Sequence, residues 1–204
     1  MYVHGLWMPG VESTLLARRL AAERGYLPLV FHYRSVSDSM DAVTAALQRM
    51  LSRIEAPRVH LLGHSLGGLL ILRCLERYPM AQPGRVLFLG TPCGGSAAAR
   101  RFGAWPLGRR MLGRAVSQEL LGERQRRWEL ERELGIIAGT APWGLGRLLL
   151  KFAGANDGTV AVSETAIPGA KSRLCLPVTH SSMLLSTRVA REIGNFFEHG
   201  CFGP

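Results

Sequence analysis

Long apolar runs are absent from this 204-residue chain. None approaches the roughly 18 residues that a membrane-spanning helix needs, which excludes a transmembrane segment. The first residues, 1–5, lack the charged start and apolar stretch of a signal peptide. No CxxC pair or other zinc-ligand spacing occurs among the cysteines, so we expect free, mostly buried thiols, a reducing compartment and a cytoplasmic location. The four are Cys74, Cys93, Cys175 and Cys201.

Lysine is also nearly absent, since Lys151 and Lys171 are the only two. The net charge of +10 therefore comes from arginines, with dense spots at residues 100–101, 109–110 and 124–127. No stacking aromatics alternate with them, and no helix-turn-helix or zinc-finger pattern is present, so we predict no specific nucleic-acid partner. A weak attraction to anionic surfaces, or to acyl groups that carry phosphate, stays open. The sequence does not indicate an oligomeric state.

What the chain does contain is an alternation of apolar, β-prone runs with helix-period stretches. Its length predicts one domain over residues 1–204. Such alternation is typical of an α/β fold, here an about six-stranded, mostly parallel sheet with helices on both faces. The predicted strands are residues 1–4, 27–33, 58–63, 85–90, 133–138 and 172–176. The predicted helices are residues 11–25, 38–54, 65–78 and 184–199.

Finer predictions accompany these elements. Ser37 or Asp38 is the expected N-cap of the second helix. Residues 93–132 are Gly- and Arg-rich and less regular, so they are a candidate lid-like insertion, with a plain surface excursion as the alternative. Within them, Trp128 is expected to be half exposed on a charged helix.

The strongest motif is Gly63-His64-Ser65-Leu66-Gly67. It matches G-x-S-x-G between an apolar strand and an apolar helix, which is the context that a nucleophile elbow requires. The chain must reverse within a residue or two, so the serine takes a strained conformation and projects its hydroxyl. Small residues on either side avoid a clash between strand and helix. The helix start directs its positive dipole end at the site. The alternative is a Gly-rich turn with an incidental serine.

The stretch Gly-His-Ser-Leu-Gly-Gly at 63–68 resembles the elbow of the lipase and esterase branch of the α/β-hydrolase superfamily, as found in small bacterial members. His4-Gly5-Leu6-Trp7 resembles that branch's oxyanion loop, and Thr91-Pro92 followed by Gly94-Gly95-Ser96 resembles a stretch of bacterial lipases. The resemblance implies the α/β-hydrolase fold, a Ser-Asp-His triad and hydrolysis of an ester or related acyl bond. Because the first predicted strand begins at Met1, we expect the two antiparallel edge strands of larger members to be absent, which resembles minimal lipases.

The triad of this fold runs in the chain order serine, acid, histidine. Only His180 and His199 follow the elbow. His180 lies in a short loop after the sixth strand, where the superfamily's base lies, whereas His199 is expected to be exposed at a helix end. Asp157 is the only aspartate after Ser65 and resembles the family's acid. An Asp-Gly turn is the alternative for Asp157, and Glu164 is a weaker candidate acid.

The oxyanion of an acyl-transfer intermediate needs hydrogen-bond donors. By position in the fold, we predict the backbone N–H groups of Leu6 and Leu66, with Trp7 as the competitor of Leu6. Candidates for lining an acyl pocket are the larger apolar side chains nearby, although such residues more often belong to the core. They are Trp7, Met8, Trp105 and Met183.

These observations predict a serine-dependent carboxylic ester hydrolase that forms an acyl-enzyme on Ser65 and acts on a small-molecule acyl ester. No cofactor and no metal are expected. Two alternatives remain: a thioesterase or acyltransferase with the same triad, and a catalytically silent hydrolase-fold binding protein.

Overall fold

The computed structural model describes residues 1–120, 126–143 and 154–203, without the side chains of 114–118. Its six strands are β1 (Tyr2–Val3), β2 (Val30–Phe31), β3 (Leu61–His64), β4 (Val86–Leu89), β5 (Leu134–Gly139) and β6 (Ser172–Leu176). Its helices are α1 (Thr14–Arg24), α2 (Met40–Leu51), α3 (Leu66–Arg77), α4 (Ala97–Gly103), α5 (Pro106–Leu120) and α6 (Thr187–His199). Short 3₁₀ turns cover Val11–Ser13, Ser163–Thr165 and Ser182–Leu184.

All six strands pair in parallel, in the order β2-β1-β3-β4-β5-β6. The predicted α/β fold class is therefore confirmed. Because the strands are parallel, their carboxyl ends meet at one edge, where ligand sites of such sheets lie. The loops after β1, β3, β4 and β6 all begin at that edge.

Two apolar cores lie on the two faces of the sheet. Buried side chains of α2 and α3 pack on one face together with Phe88 of β4. Those of α1 and α6 pack on the other face together with Leu87 and Leu89 of the same strand. Successive side chains of a strand point to opposite faces, so the apolar run of β4 supplies both cores. Helices on both faces were predicted, and the prediction holds.

The predicted N-cap of α2 is wrong. Ser39 caps this helix, with its hydroxyl accepting the N–H of Ala42 at 3.3 Å. Asp38 closes the preceding turn instead, because its carboxylate accepts the N–H of Arg34. The last helix also begins later than predicted: Ser186 caps α6, and a 3₁₀ turn precedes it.

Trp128 departs furthest from expectation. It is buried rather than half exposed and lies outside any helix. Its ring packs edge-on against Phe88 at 5.7 Å between centroids, and its indole N–H donates to the carbonyl of Arg132. The cysteines also differ in part: all four are free, but Cys175 and Cys201 are exposed. Cys175 lies on the exposed face of the edge strand β6, where residues 173 and 175 are exposed while residues 174 and 176 are not.

The predicted insertion contains α4 and α5, which pack against each other beside the carboxyl edge. α5 is kinked at Gly113, where φ is 77° and an added Cβ would lie 2.2 Å from the carbonyl oxygen of Val36. Residues 121–125 of the insertion lie outside the described part. Within the described ranges, none of the helices combines the length and apolar character needed to cross a membrane.

Candidate active site

The turn between β3 and α3 holds Ser65 in a rare backbone conformation. Its φ is 53° and its ψ is −121°, a positive φ that is unusual outside glycine. The Ser65 N–H donates to the carbonyl of Leu89 at 2.9 Å, and the Ser65 carbonyl accepts the N–H of Gly68 at 3.1 Å. These two bonds hold the strained residue in place, and its side chain stays partly exposed.

Glycines around Ser65 allow strand and helix to approach closely. A Cβ on Gly67 would lie 2.1 Å from the carbonyl oxygen of Val3, and one on Gly63 would lie 2.5 Å from the Cα of Gly68. Gly68 itself lies against Thr91, whose hydroxyl would be 2.2 Å from an added Cβ. Any side chain at these three positions would push α3 away from the sheet.

Asp157 and His180 form a direct pair. Asp157 Oδ2 lies 2.7 Å from His180 Nδ1, and the carboxylate is fully buried. The other oxygen, Oδ1, accepts the N–H groups of Thr159 at 2.9 Å and Val160 at 2.7 Å. Because two amides hold one oxygen, the second is aimed at the imidazole. This arrangement fits the tautomer with the proton on Nδ1 and leaves Nε2 as an acceptor.

The loop that carries His180 is fixed on both sides. The His180 N–H donates to the carbonyl of Asp157 at 2.9 Å. Thr179 and Ser182 exchange bonds between backbone N–H and side-chain hydroxyl, at 2.8 and 3.1 Å. The chain therefore tethers the histidine through its backbone as well as through its ring.

His64 connects the elbow to this loop. It is fully buried, and its Nε2–H donates to the His180 carbonyl at 2.9 Å. The two imidazole rings lie 4.7 Å apart between centroids. Burial lowers the pKa of His64 to about 3, with the nearby His180 as a second cause, so this ring is neutral at ordinary pH. The Nδ1 atom of His64 has no partner among the described residues.

Two further glycines bring the loops together at the site. A Cβ on Gly5 would lie 3.1 Å from Ser65 Cβ, so the loop after β1 passes directly beside the elbow. A Cβ on Gly90 would lie 3.0 Å from both Asp157 Oδ2 and His180 Nδ1. Gly90 also has a φ of 53°.

The loop after β1 distinguishes Leu6 from its competitor Trp7 as the predicted amide donor. Trp7 has a φ of 59°, and its N–H already donates to the hydroxyl of Ser35 at 3.1 Å. The N–H groups of Leu6 and Leu66 have no acceptor among the residues that the structure describes. His4 is buried with its ring stacked on Tyr33, and burial lowers its pKa.

The remaining predicted residues lie in different surroundings. Met183 is fully buried in the core, and Met8 is partly buried against the same core. Trp7 and Trp105 are largely exposed, at 49% and 74%. Glu164 accepts the N–H groups of Ala97 and Ala161 rather than contacting His180. His199 is exposed at the end of α6, as expected.

A cavity of about 500 Å³ lies at the opposite, amino edge of the sheet. It is mostly apolar, includes Tyr2, Leu29, His60 and Phe197 in its lining, and does not touch Ser65, Asp157 or His180. Within residues 1–120, 126–143 and 154–203, no cluster of three or more His, Cys, Asp or Glu side chains is arranged to hold a metal ion.

Three residues at the site are absent from the sequence predictions: Ser35, Gly90, and His64, which is named there only as part of the motif. The signal for Gly90 is a glycine at the carboxyl end of a strand that borders the elbow. His64 and Ser35 carry no such local signal, because their partners lie 116 and 28 residues away in the chain.

Comparisons with known proteins agree with this architecture. A model of the alpha/beta hydrolase family matches residues 2–188. No curated protein matches the chain. Among solved structures, the mature lipase BlEst2 of Bacillus licheniformis is 22% identical, with a TM-score of 0.72 over 90% of this chain and 84% of that one.

Two other similar structures have the same fold. The pyrethroid hydrolase PytH is 17% identical, with a TM-score of 0.64 over 97% of this chain and 96% of that one. The metagenomic carboxyl esterase MGS0156 is 20% identical, with a TM-score of 0.63 over 88% and 64%. At these identities the likeness concerns the fold alone. Because the family model spans nearly the whole chain, this protein belongs to the alpha/beta hydrolase family.

Proposed function

We propose that this protein is a serine hydrolase that cleaves carboxylic esters through an acyl-enzyme on Ser65. The observation that carries the proposal is the buried hydrogen bond between Asp157 and His180, beside the strained serine turn. Family membership supports a hydrolase, and the geometry supports Ser65 as its nucleophile. The ester substrate rests on the likeness to lipase and esterase structures.

In the proposed reaction, Ser65 Oγ attacks the ester carbonyl while His180 Nε2 takes the hydroxyl proton. The carbonyl oxygen becomes negative. It is stabilised by two free N–H groups, that of Leu6 in the loop after β1 and that of Leu66 at the start of α3. The bond to the alkoxy group then breaks, and His180 returns the proton to the leaving alcohol. Water attacks the acyl-serine with His180 as the base again, which releases the acid and restores Ser65.

Asp157 has a supporting role in this proposal. Its carboxylate keeps the proton of His180 on Nδ1, so that Nε2 can accept from the serine, and it stabilises the imidazolium. The two backbone amides on Oδ1 keep the carboxylate oriented. None of these steps calls for a cofactor. The residues named above as pocket candidates stay predictions about acyl specificity.

The decisive experiment compares Ser65→Ala with the wild type on a p-nitrophenyl ester. We expect kcat/KM to fall by about 10⁵-fold or more, because nucleophile and base act as one unit. A matched control is Ser52→Ala, an exposed serine at the end of α2, which should keep full activity. Full activity in Ser65→Ala would disprove the proposal.

A fluorophosphonate probe distinguishes the catalytic alternatives from silent binding. We expect one adduct on Ser65 in the folded wild type and none in Ser65→Ala. Absence of an adduct in the folded wild type would favour a binding protein. A series of esters and matched thioesters of increasing acyl length then separates an esterase from a thioesterase.

A further inference from the structure

The helical corner between α4 and α5 exposes large apolar side chains to solvent. We call residues 100–111 the α4–α5 surface. In it Trp105 is 74% exposed, Leu107 70% and Met111 46%. Exposed apolar side chains that lie together mark interaction sites more often than scattered ones do.

This surface continues into the loop after β1. The indole N–H of Trp7 donates to the carbonyl of Met111 at 3.0 Å. The Trp7 ring also packs edge-on against Phe102, at 6.1 Å between centroids, and Trp7 is itself 49% exposed. Because Gly5 lies beside Ser65, the apolar side chains begin close to the candidate nucleophile.

The same surface carries unbalanced positive charge. It contains four exposed arginines, and no acidic residue occurs between positions 97 and 113. None of the four has an ion-pair partner in the described part of the chain. They are Arg100, Arg101, Arg109 and Arg110.

Several arginines elsewhere are neutralised by carboxylates. Arg73 and Arg126 both contact Glu119, while Arg24 pairs with Glu198. The α4–α5 surface thus combines free guanidinium groups with exposed indole and aliphatic side chains. Guanidinium groups bind phosphate oxygens well, and tryptophan favours the boundary between water and acyl chains.

We propose that the α4–α5 surface docks this protein on a lipid bilayer that contains anionic headgroups. The arginines would contact lipid phosphates, while Trp105 and Leu107 enter the boundary between headgroups and acyl chains. A bilayer with anionic headgroups accounts for both the exposed apolar side chains and the free arginines, whereas a nucleic acid would account mainly for the arginines. Docking goes beyond the proposed ester hydrolysis and does not depend on it.

The test is co-sedimentation of the full chain with lipid vesicles. We expect binding to phosphatidylcholine vesicles that contain phosphatidylglycerol and little binding to pure phosphatidylcholine. Binding should weaken as salt rises, since exposed charges are screened beyond about 10 Å at 0.1 M salt. Equal binding to both vesicle types, or no binding to either, would overturn the proposal.

A double variant locates the docking surface. Arg109→Glu with Arg110→Glu should lower the vesicle affinity by about thirtyfold or more, at roughly 1 kcal/mol for each basic residue near an anionic membrane. The matched control is Arg18→Glu with Arg53→Glu, which changes two other exposed arginines and alters the net charge equally. An equal loss in both variants would indicate that net charge alone binds the vesicle and would contradict the proposed surface.

Four further measurements separate docking from misfolding, lost activity, dimerisation and DNA binding. Circular dichroism should show that both double variants fold. Their hydrolysis of a water-soluble short-chain ester should equal that of the wild type, so a loss of docking is distinguishable from failure of the proposed reaction. Light scattering measures the oligomeric state, and a mobility shift measures binding to DNA. A surface-dependent dimer, or surface-dependent DNA binding without vesicle binding, would overturn the bilayer as partner.

Discussion

Gly90 shows how closely single residues pack around the candidate site. It follows β4 with a φ of 53°, and a Cβ there would touch both Asp157 and His180. Gly25, the residue after α1, has a similar φ of 67°, but a Cβ there would meet nothing within 4 Å. Both positions require a positive φ, but only Gly90 has neighbours close to an added Cβ. Comparing substitutions at the two therefore distinguishes the effect of backbone strain from the effect of contact with the site.

We predict that Gly90→Ala lowers kcat for a p-nitrophenyl ester by at least about tenfold, because the new methyl group displaces the acid–base pair. Gly25→Ala should keep full activity. Both should lose roughly 1 kcal/mol of unfolding free energy from the positive φ, and Gly90→Ala should lose more. Steady-state kinetics and urea unfolding check this. Equal activity in the two variants would show that a methyl group at Gly90 does not disturb the Asp157–His180 pair.

At the scale of elements, a buried carboxylate joins α5 to the body of the fold. Glu119 of α5 contacts Arg73 of α3 and Arg126, and all but a few per cent of its side chain is buried. Arg126 also donates to the carbonyl of Cys93 at 3.0 Å. Arg73 contacts a second carboxylate, Asp41 of α2, whose side chain is 57% exposed. α5 is therefore anchored by charge pairs as well as by apolar contacts.

Glu119→Ala should lower the free energy of unfolding by about 3–5 kcal/mol, because it leaves the buried Arg126 without its carboxylate. Asp41→Ala also removes a partner of Arg73, but in solvent, and should cost much less than Glu119→Ala. Urea unfolding of both variants measures the difference. Similar losses in the two would mean that burial of Glu119 contributes little.

For the whole molecule, two neutral histidines, the buried His64 and the half-buried His60, link stability to pH. Burial lowers the pKa of His64 to about 3 and that of His60 to about 4, with neighbouring charges as smaller causes. Both folded values lie below the ordinary 6.5, so the unfolded chain binds more protons in acid. Stability from these groups is complete above about pH 6.5 and is lost as pH falls from there toward the folded pKa values.

We predict that the wild type is less stable at pH 5 than at pH 7, with His64 alone contributing about 2 kcal/mol to the difference. His64→Gln should reduce the difference by that amount. His199→Gln, at an exposed histidine, should leave it unchanged. Urea unfolding at the two pH values tests this, and an unchanged pH dependence in His64→Gln would refute it.

Much of the architecture was predictable because it depends on local patterns. Apolar runs and helix periods placed all six strands within a few residues, and β6 covers residues 172–176 as predicted. β2 is shorter than predicted because it pairs only with β1, which has two residues. The elbow at Ser65 was predictable because its spacing follows from the steric demands of one turn.

The candidate acid and base could be inferred from chain order, since Asp157 is the only aspartate after Ser65. Other features depended on partners that no local pattern reveals. Trp128 is buried because it meets Phe88, forty residues earlier, and Ser39 caps α2 because Asp38 is engaged in the preceding turn. The sequence likewise does not show which arginines are paired with carboxylates, so the unpaired arginines of the α4–α5 surface are identified only in the structure.

The sequence alone thus determined the fold class and pointed to the residues of the candidate triad, because backbone sterics and hydrophobic periodicity act over a few residues. Only the tertiary structure decided the contact between Asp157 and His180, the link through His64 and the free N–H of Leu6 beside the engaged N–H of Trp7. These features depend on which distant segments meet at the carboxyl edge of the sheet. The number of residues between two segments does not determine how close they lie in the folded chain.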